Sequence, residues 1–262
     1  MDRLPSLFVS HGAPTFAVEP GTAGPRLRAL GEALPRPRAI LIISPHWMTE
    51  ELTVSASAAP PTIHDFGGFP AQLYALRYPA PGDPALAGRI AELLKAQGRT
   101  VRSDALRGLD HGAWVPLTYL YPGADVPVVQ LSLPVRYGAG DAYELGRLLA
   151  PLAAEGVLII GSGSLTHNLA EFRGRGAEEA ADYVRRFVSW SRTAVARGDS
   201  SAIIDYLHSA PDARRAHPTS DHYLPLPFAM GAGPPDTPGR VIDGGVVYGM
   251  LSMDAFVFGA AA

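Results

Sequence analysis

The sequence contains no cysteine. That absence removes disulfides, thiolate metal sites and cysteine nucleophiles together, so any metal must be held by imidazole and carboxylate. Excess positive charge is missing too: 22 lysines and arginines stand against 25 aspartates and glutamates, a formal net charge of −3, with no basic run. Such a surface offers no electrostatic footprint for a phosphate backbone or an anionic bilayer, so nucleic acid is not an expected partner. No apolar run approaches the roughly 20 residues needed to span a bilayer. Nor does a charged segment followed by an apolar one open the chain, and the expectation is a cytoplasmic protein without membrane contact. Several nucleotide and hydrolase signatures are also lacking. There is no G-x-S-x-G elbow, P-loop or H-E-x-x-H, and GSGSLT after an apolar run begins like a dinucleotide fingerprint but has Thr166 where its third glycine should stand.

What is present is apolar and β-branched. Hydrophobic residues make up 47% of 262 positions, enough for one substantial core, so residues 1–262 are expected to form one domain. Short runs recur at Leu7–Val9, Ala39–Ile43, Val126–Leu131 and Val157–Ile160. Continuous apolar runs without alternation mark strands covered on both faces. Pro127 cannot donate to a ladder, so the third strand should start at Val128. Helical patterns lie between the runs at Pro25–Leu34, Pro84–Gln97, Tyr143–Ala153 and Glu178–Ala196. Strands alternating with helices predict an α/β fold with a central, largely parallel or mixed sheet flanked by helices. Arg240–Phe258, with Asp243-Gly244-Gly245 inside it, reads as a closing hairpin or a pair of edge strands. The irregular stretch from Ala58 to Pro70 is long enough to suggest a functional loop.

Three of the eight histidines fall just after apolar runs: His11 in SHGAP, His46 in SPHW and His167 in GSGSLTH. The carboxyl ends of parallel strands carry the ligand crevice of an α/β sheet, so these imidazoles can converge there from distant parts of the chain. Any one of them alone reads as a turn or core histidine; three at equivalent places favour a site. His64-Asp65 lies in the long loop, and Asp110-His111-Gly112 precedes a possible helix from Ala113 to Tyr121. In both places acid and imidazole can orient one another, although Asp-His-Gly is also ordinary N-cap chemistry. His222 follows Asp221 in PTSDHYLPL. Neighbouring helical residues point about 100° apart, so the two are not expected to bind one ion alike. His208 and His217 lie among polar, proline-containing residues and are expected on the solvated surface. What remains is a histidine-rich site suited to iron, zinc or manganese.

The motifs SHGAP, SPHW, TIHDFGGFP, LDHGAWVPL, GSGSLTHNL and DHYLPL occur in this order over nearly the whole chain. Together they resemble the DODA-type branch of the class III extradiol ring-cleaving dioxygenases, the superfamily of the protocatechuate 4,5-dioxygenase catalytic subunit. The resemblance implies an enzyme that opens a catechol with O2, a DOPA-like diol being the closest analogy within the family. It implies Fe(II) for activity, with Zn(II) as an alternative bound metal. Carried onto this sequence, it makes His11, His46 and His222 the metal ligands. His167 becomes the acid/base histidine, or a fourth ligand in a resting form. His111 is a second catalytic histidine lining the pocket, and His64 and Asp65 meet substrate at its rim. The sequence departs from the common iron triad of two histidines and a carboxylate by placing His222 third, with Asp221 beside it. Trp47, Phe66, Phe69 and Trp114 are candidates for an apolar wall, each equally readable as core. Two other readings are weighed: a non-catalytic protein-binding member of the fold, which the presence of His11, His46, His167 and His222 argues against, and a zinc hydrolase, which fits the ligands but lacks an obvious carboxylate base unless Asp65 or Asp221 serves.

Overall fold

A computed structural model describes residues 3–172, 174 and 179–259. Ten strands are found among them: β1 Ser6–Ser10, β2 Ala39–Thr49, β3 Thr53–Ser55, β4 Arg102–Asp104, β5 Val128–Pro134, β6 Val157–Gly163, β7 Gly239–Ile242, β8 Val246–Val247, β9 Leu251–Ser252 and β10 Ala255–Phe258. Eight of them form one mixed sheet in the order β4-β3-β5-β2-β6-β1-β10-β7. The centre, β5-β2-β6-β1, is parallel throughout, and Ile42 faces both Ile160 and Gln130 in register. β10 and β7 run antiparallel to their neighbours and close one edge, as the tail pattern predicts; β8 and β9 form a separate small ladder.

The unbroken apolar runs follow from cover on both faces. Leu7, Val9, Ile40, Ile42, Leu158 and Ile160 pack with the Ala23–Ala33 and His111–Leu120 helices. The alternate residues Leu41, Ile43, Val157 and Ile159 pack against the Pro84–Ala96 and Ala139–Leu149 helices. Phe8 joins the Asp182–Ala196 and Pro225–Ala232 helices on that second face. Burial of each such side chain stabilises the fold by roughly 1.5–3 kcal/mol. The helix expected from Glu178 begins at Asp182; Glu178 itself lies outside the described residues.

Two departures from the sequence reading bear on the site. β2 does not stop before His46 but continues to Thr49, with its register to β5 shifted between Ile43 and Met48. His46 therefore sits inside a strand irregularity, a device that turns a side chain out of its regular direction. The Ala58–Pro70 stretch is nonetheless anchored: Ile63 N–H donates to the Leu109 carbonyl (2.8 Å) and Leu109 N–H to that of Pro61 (2.9 Å). That pairing lays Asp65 beside His111.

Candidate metal centre

Five histidines meet at the carboxyl ends of the parallel strands. His11 follows β1 directly, and its N–H donates to the Gly163 carbonyl (2.9 Å), extending the pairing with β6 by one step. The ring is buried at 1% exposure, and its Nδ1 lies 3.1 Å from the Ser162 hydroxyl. Ser162 gives its only proton to the Gly112 carbonyl, so it must accept from His11 Nδ1–H. That fixes the tautomer and turns the His11 Nε2 lone pair toward the other imidazoles. His46 reaches the same point from β2, its Nε2 3.2 Å from His11 Nε2. The His111–Leu120 helix comes close over this pair because residue 112 is glycine: a Cβ there would fall on the Ser44 hydroxyl and crowd the His46 ring.

His222 arrives from a turn rather than a strand. Its carbonyl accepts the Ser164 N–H (3.0 Å), which ties the turn to the end of β6. Gly163 makes this approach possible, since a Cβ at that position would collide with the His222 carbonyl. Asp221 receives the His222 Nδ1–H at 2.6 Å. The carboxylate therefore stands behind the imidazole and directs Nε2 inward, the usual arrangement behind a metal-binding histidine. One nitrogen each of His11, His46 and His222 lies within 4.8 Å of the others, a spacing that can hold a metal ion.

His111 is held differently. Asp110 caps its helix, accepting the Ala113 N–H (3.2 Å), and is itself buried and paired with Arg107 (2.7 Å). Asp65 takes both the His111 backbone N–H (2.8 Å) and its Nδ1–H (3.0 Å), so Nε2 is the nitrogen left for chemistry. The His111 ring lies 4.0 Å from that of His46. Asp65, His46 and His111 also form a group with metal-ligand spacing, but both Asp65 oxygens are already hydrogen-bonded to His111. The His167 ring lies face to face on His222, 3.5 Å between centroids and 4° from parallel.

Burial, followed by the neighbouring imidazoles, holds His11 well below the ordinary histidine range. Burial pushes His46 down to about 4 and His222 down to about 3, the latter despite the opposing pull of Asp221. His167 is lowered by burial as well. Asp65 falls to about 2 because the His111 hydrogen bonds outweigh its own burial. At neutral pH His11, His46 and His222 are uncharged imidazoles, with Asp65 and Asp221 ionised beside the cluster, the protonation state that metal binding requires.

Other expected residues fall elsewhere. His64 donates Nε2–H to the Leu76 carbonyl (3.0 Å), so its ring serves the loop rather than the histidine cluster. Trp114 is fully buried and bonds the Ile63 carbonyl (3.0 Å), which makes it core. Trp47 is buried with the Arg107 guanidinium over its ring. Phe66 does face the site, 5.7 Å from the His111 ring, with Phe69 against it. His208 is exposed beside Asp205 (2.7 Å), as expected. His217 is not on the surface: it is 2% exposed, enclosed by Phe187, Tyr206 and Tyr223. Sequence reasoning also passed over Ser162, whose partner His11 is 151 residues away and shares no local pattern with it.

The chain matches the family model "Catalytic LigB subunit of aromatic ring-opening dioxygenase" over residues 8–258. It belongs to that family. The 4,5-DOPA dioxygenase extradiol of Beta vulgaris is 41% identical over 257 residues, covering 97% of this chain and 96% of the relative. The Escherichia coli (strain K12) protein of the same name is 39% identical over 258 residues, 96% and 93% of the two chains. A crystal structure of an uncharacterised Escherichia coli K12 protein superposes with a TM-score of 0.79 at 33% identity, covering 98% of this chain and all of that one. The protein is an extradiol catechol dioxygenase, metal-dependent like its family and acting on an aromatic substrate with O2. Among the described residues no helix is long and apolar enough to cross a membrane. Membership also decides between the readings left open by the sequence. The protein-binding and zinc-hydrolase alternatives give way, the latter also because Asp65 and Asp221 are both engaged by histidine.

Proposed function

We propose that this dioxygenase opens a DOPA-like catechol at an Fe(II) ion held by His11, His46 and His222, with Zn(II) able to occupy the same ligands. The observation that carries this reading is the convergence of three imidazoles whose ligand nitrogens lie within 4.8 Å, two with Nδ1 committed to Ser162 and Asp221. Neutral nitrogen donors of this kind suit Fe(II) and Zn(II) alike. The bound metal supplies Lewis acidity toward the catechol oxygens and the one-electron chemistry that O2 requires.

The chain's own groups handle the protons and the ring. His167, neutral and beside His222, takes the second phenolic proton at a ring nitrogen and later returns one. His111 faces the substrate through Nε2, because Asp65 holds its Nδ1–H. In this role Asp65 orients a histidine and touches substrate only through it. Phe66 lies along the edge of the site, where an aromatic ring packs.

Oxygen uptake after anaerobic ferrous loading, measured across a panel of catechols that starts with DOPA, tests the assignment. The expected result is uptake with appearance of a yellow ring-opened product; no uptake with any catechol overturns it. Replacing His167 by Gln should leave metal content near that of the parent while suppressing turnover. Loss of the metal instead would make His167 a ligand.

A further inference from the structure

His217 has a buried ring whose Nε2 lies 2.9 Å from the Leu165 carbonyl. A carbonyl only accepts, so Nε2 carries the proton and, in the neutral ring, Nδ1 is a bare lone pair. That Nδ1 is buried without a partner. Burial lowers the pKa of the ring to about 4, so it stays uncharged at neutral pH. A buried polar atom without a partner is costly, and a methionine of similar volume would avoid the cost. The compensation lies in what the other nitrogen holds.

Leu165 belongs to the turn that carries His167. One residue before His217, the Ala216 carbonyl accepts the His167 N–H (2.9 Å). Adjacent residues 216 and 217 thus grip the turn at two points, one through the backbone and one through a side chain. Other bonds of the turn run to Ser10, where the hydroxyl accepts Leu165 N–H (3.2 Å), to Met250, whose carbonyl accepts the Thr166 hydroxyl (2.8 Å), to Ser252, whose N–H donates to that hydroxyl (2.9 Å), and to Arg215, whose carbonyl accepts from the Asn168 amide (2.7 Å). Five residues after His217 comes His222, on whose ring His167 stacks at 3.5 Å. The backbone bond ties His167 itself to this segment, and the side-chain bond ties Leu165, two residues earlier, to the same segment.

We propose that His217 is a positioning residue for ring opening: its Nε2–H, donated to the Leu165 carbonyl, keeps the His167 turn in register with His222. This rests on the reading of His167 as the group that moves protons. His217 touches neither substrate nor metal, and its effect passes through His167. A proton-transfer group that drifts from its working geometry loses rate in the chemical step while leaving substrate affinity almost unaltered.

The test compares His217→Met, which keeps the volume and removes the donor, with His217→Gln, whose amide nitrogen can reach the same carbonyl. Both are made in the full-length, ferrous-loaded enzyme. In His217→Met, kcat should fall about tenfold with KM within about twofold and metal content unchanged. Amide hydrogen exchange in residues 164–168 should quicken in the same variant. His217→Gln should restore kcat to within about threefold of the parent and slow the exchange again. If the methionine variant does not fold, His217→Asn, whose shorter amide cannot reach Leu165, takes its place. A methionine variant with parental kcat overturns the proposal, as does equal loss in both variants or a loss that follows metal content. His167→Gln separates the two levels: full turnover there removes the underlying reading, whereas an inactive His167→Gln beside a fully active His217→Met removes only the strap.

Discussion

His11 and His46 reach the candidate metal centre on strands, whereas His167 and His222 reach it on turns, and the two sides are held by different means. On the strand side, position comes from sheet register. β2 pairs with β5 and β6 over many residues, and His11 adds one more backbone bond to the β1–β6 ladder. On the turn side it comes from separate contacts, among them Asp221 on His222, His217 on Leu165, Thr166 on Met250, and the Ser164 N–H on the His222 carbonyl. A ladder distributes the task over many hydrogen bonds, so the loss of one side chain moves it little. A turn held by separate contacts, several of them through side chains, depends more on each one. The residue proposed to move protons, His167, therefore stands on the side that one substitution can disturb.

The most severe way to break this contrast is at the joint between the sides. Gly163→Ala would drive a Cβ into the His222 carbonyl at the end of β6. Overpacking of this kind costs about 1–3 kcal/mol, more where the obstacle is backbone. The expected outcome is a protein that melts earlier and holds no stoichiometric metal, read by thermal denaturation and by metal analysis. If metal content survives intact, the turn side is more compliant than its contacts indicate.

A smaller effect separates the sides directly. Asp221→Asn leaves His222 in place but removes the charged acceptor behind its ring, and metal affinity should fall about ten- to a hundredfold. Ser162→Ala removes the corresponding acceptor behind His11, whose backbone bond to Gly163 remains. It should cost several-fold less than the Asp221 change. Chelator competition on both variants measures the difference, and a larger loss for Ser162→Ala would reverse the assignment of which side is rigid.

The same division explains what the sequence disclosed. Strands covered on both faces carry continuous apolar runs, so β1, β2, β5 and β6 could be found, and with them the sites of His11 and His167. The onward course of β2 through His46 was missed, because Ser44-Pro45-His46 reads locally as a turn and only pairing with β5 keeps it in the sheet. His111 and His222 stood out through adjacent acids and a family-like motif. Asp65 was placed with substrate because sequence neighbours do not reveal that His111, 46 positions on, would occupy both its oxygens. His217 was misplaced on the surface for a similar reason. Its polar neighbours describe the short segment it sits on, while its burial is made by Phe187, Tyr206 and Tyr223 and its hydrogen bond by Leu165, 52 residues away.

The mildest test uses His217 as a reporter of the turn side. Burial holds its folded-state pKa at about 4, below the ordinary value of 6.5. Between those values the unfolded chain binds a proton that the folded one refuses, so stability falls as pH drops through that window and levels off below it. His11, His46 and His222 are lowered as well and contribute the same trend. The informative quantity is therefore the difference between metal-free parent and metal-free His217→Gln, which cannot take up that proton. Denaturant unfolding near pH 7 and again near pH 5 should show the parent losing more stability, by a slope approaching about 1.4 kcal/mol per pH unit within the window. Parallel curves would mean that His217 takes up its proton in the folded protein as readily as in the unfolded chain. The aromatic enclosure would then be open enough to admit water, and the His217 hydrogen bond to Leu165 would compete with solvent instead of holding the His167 turn.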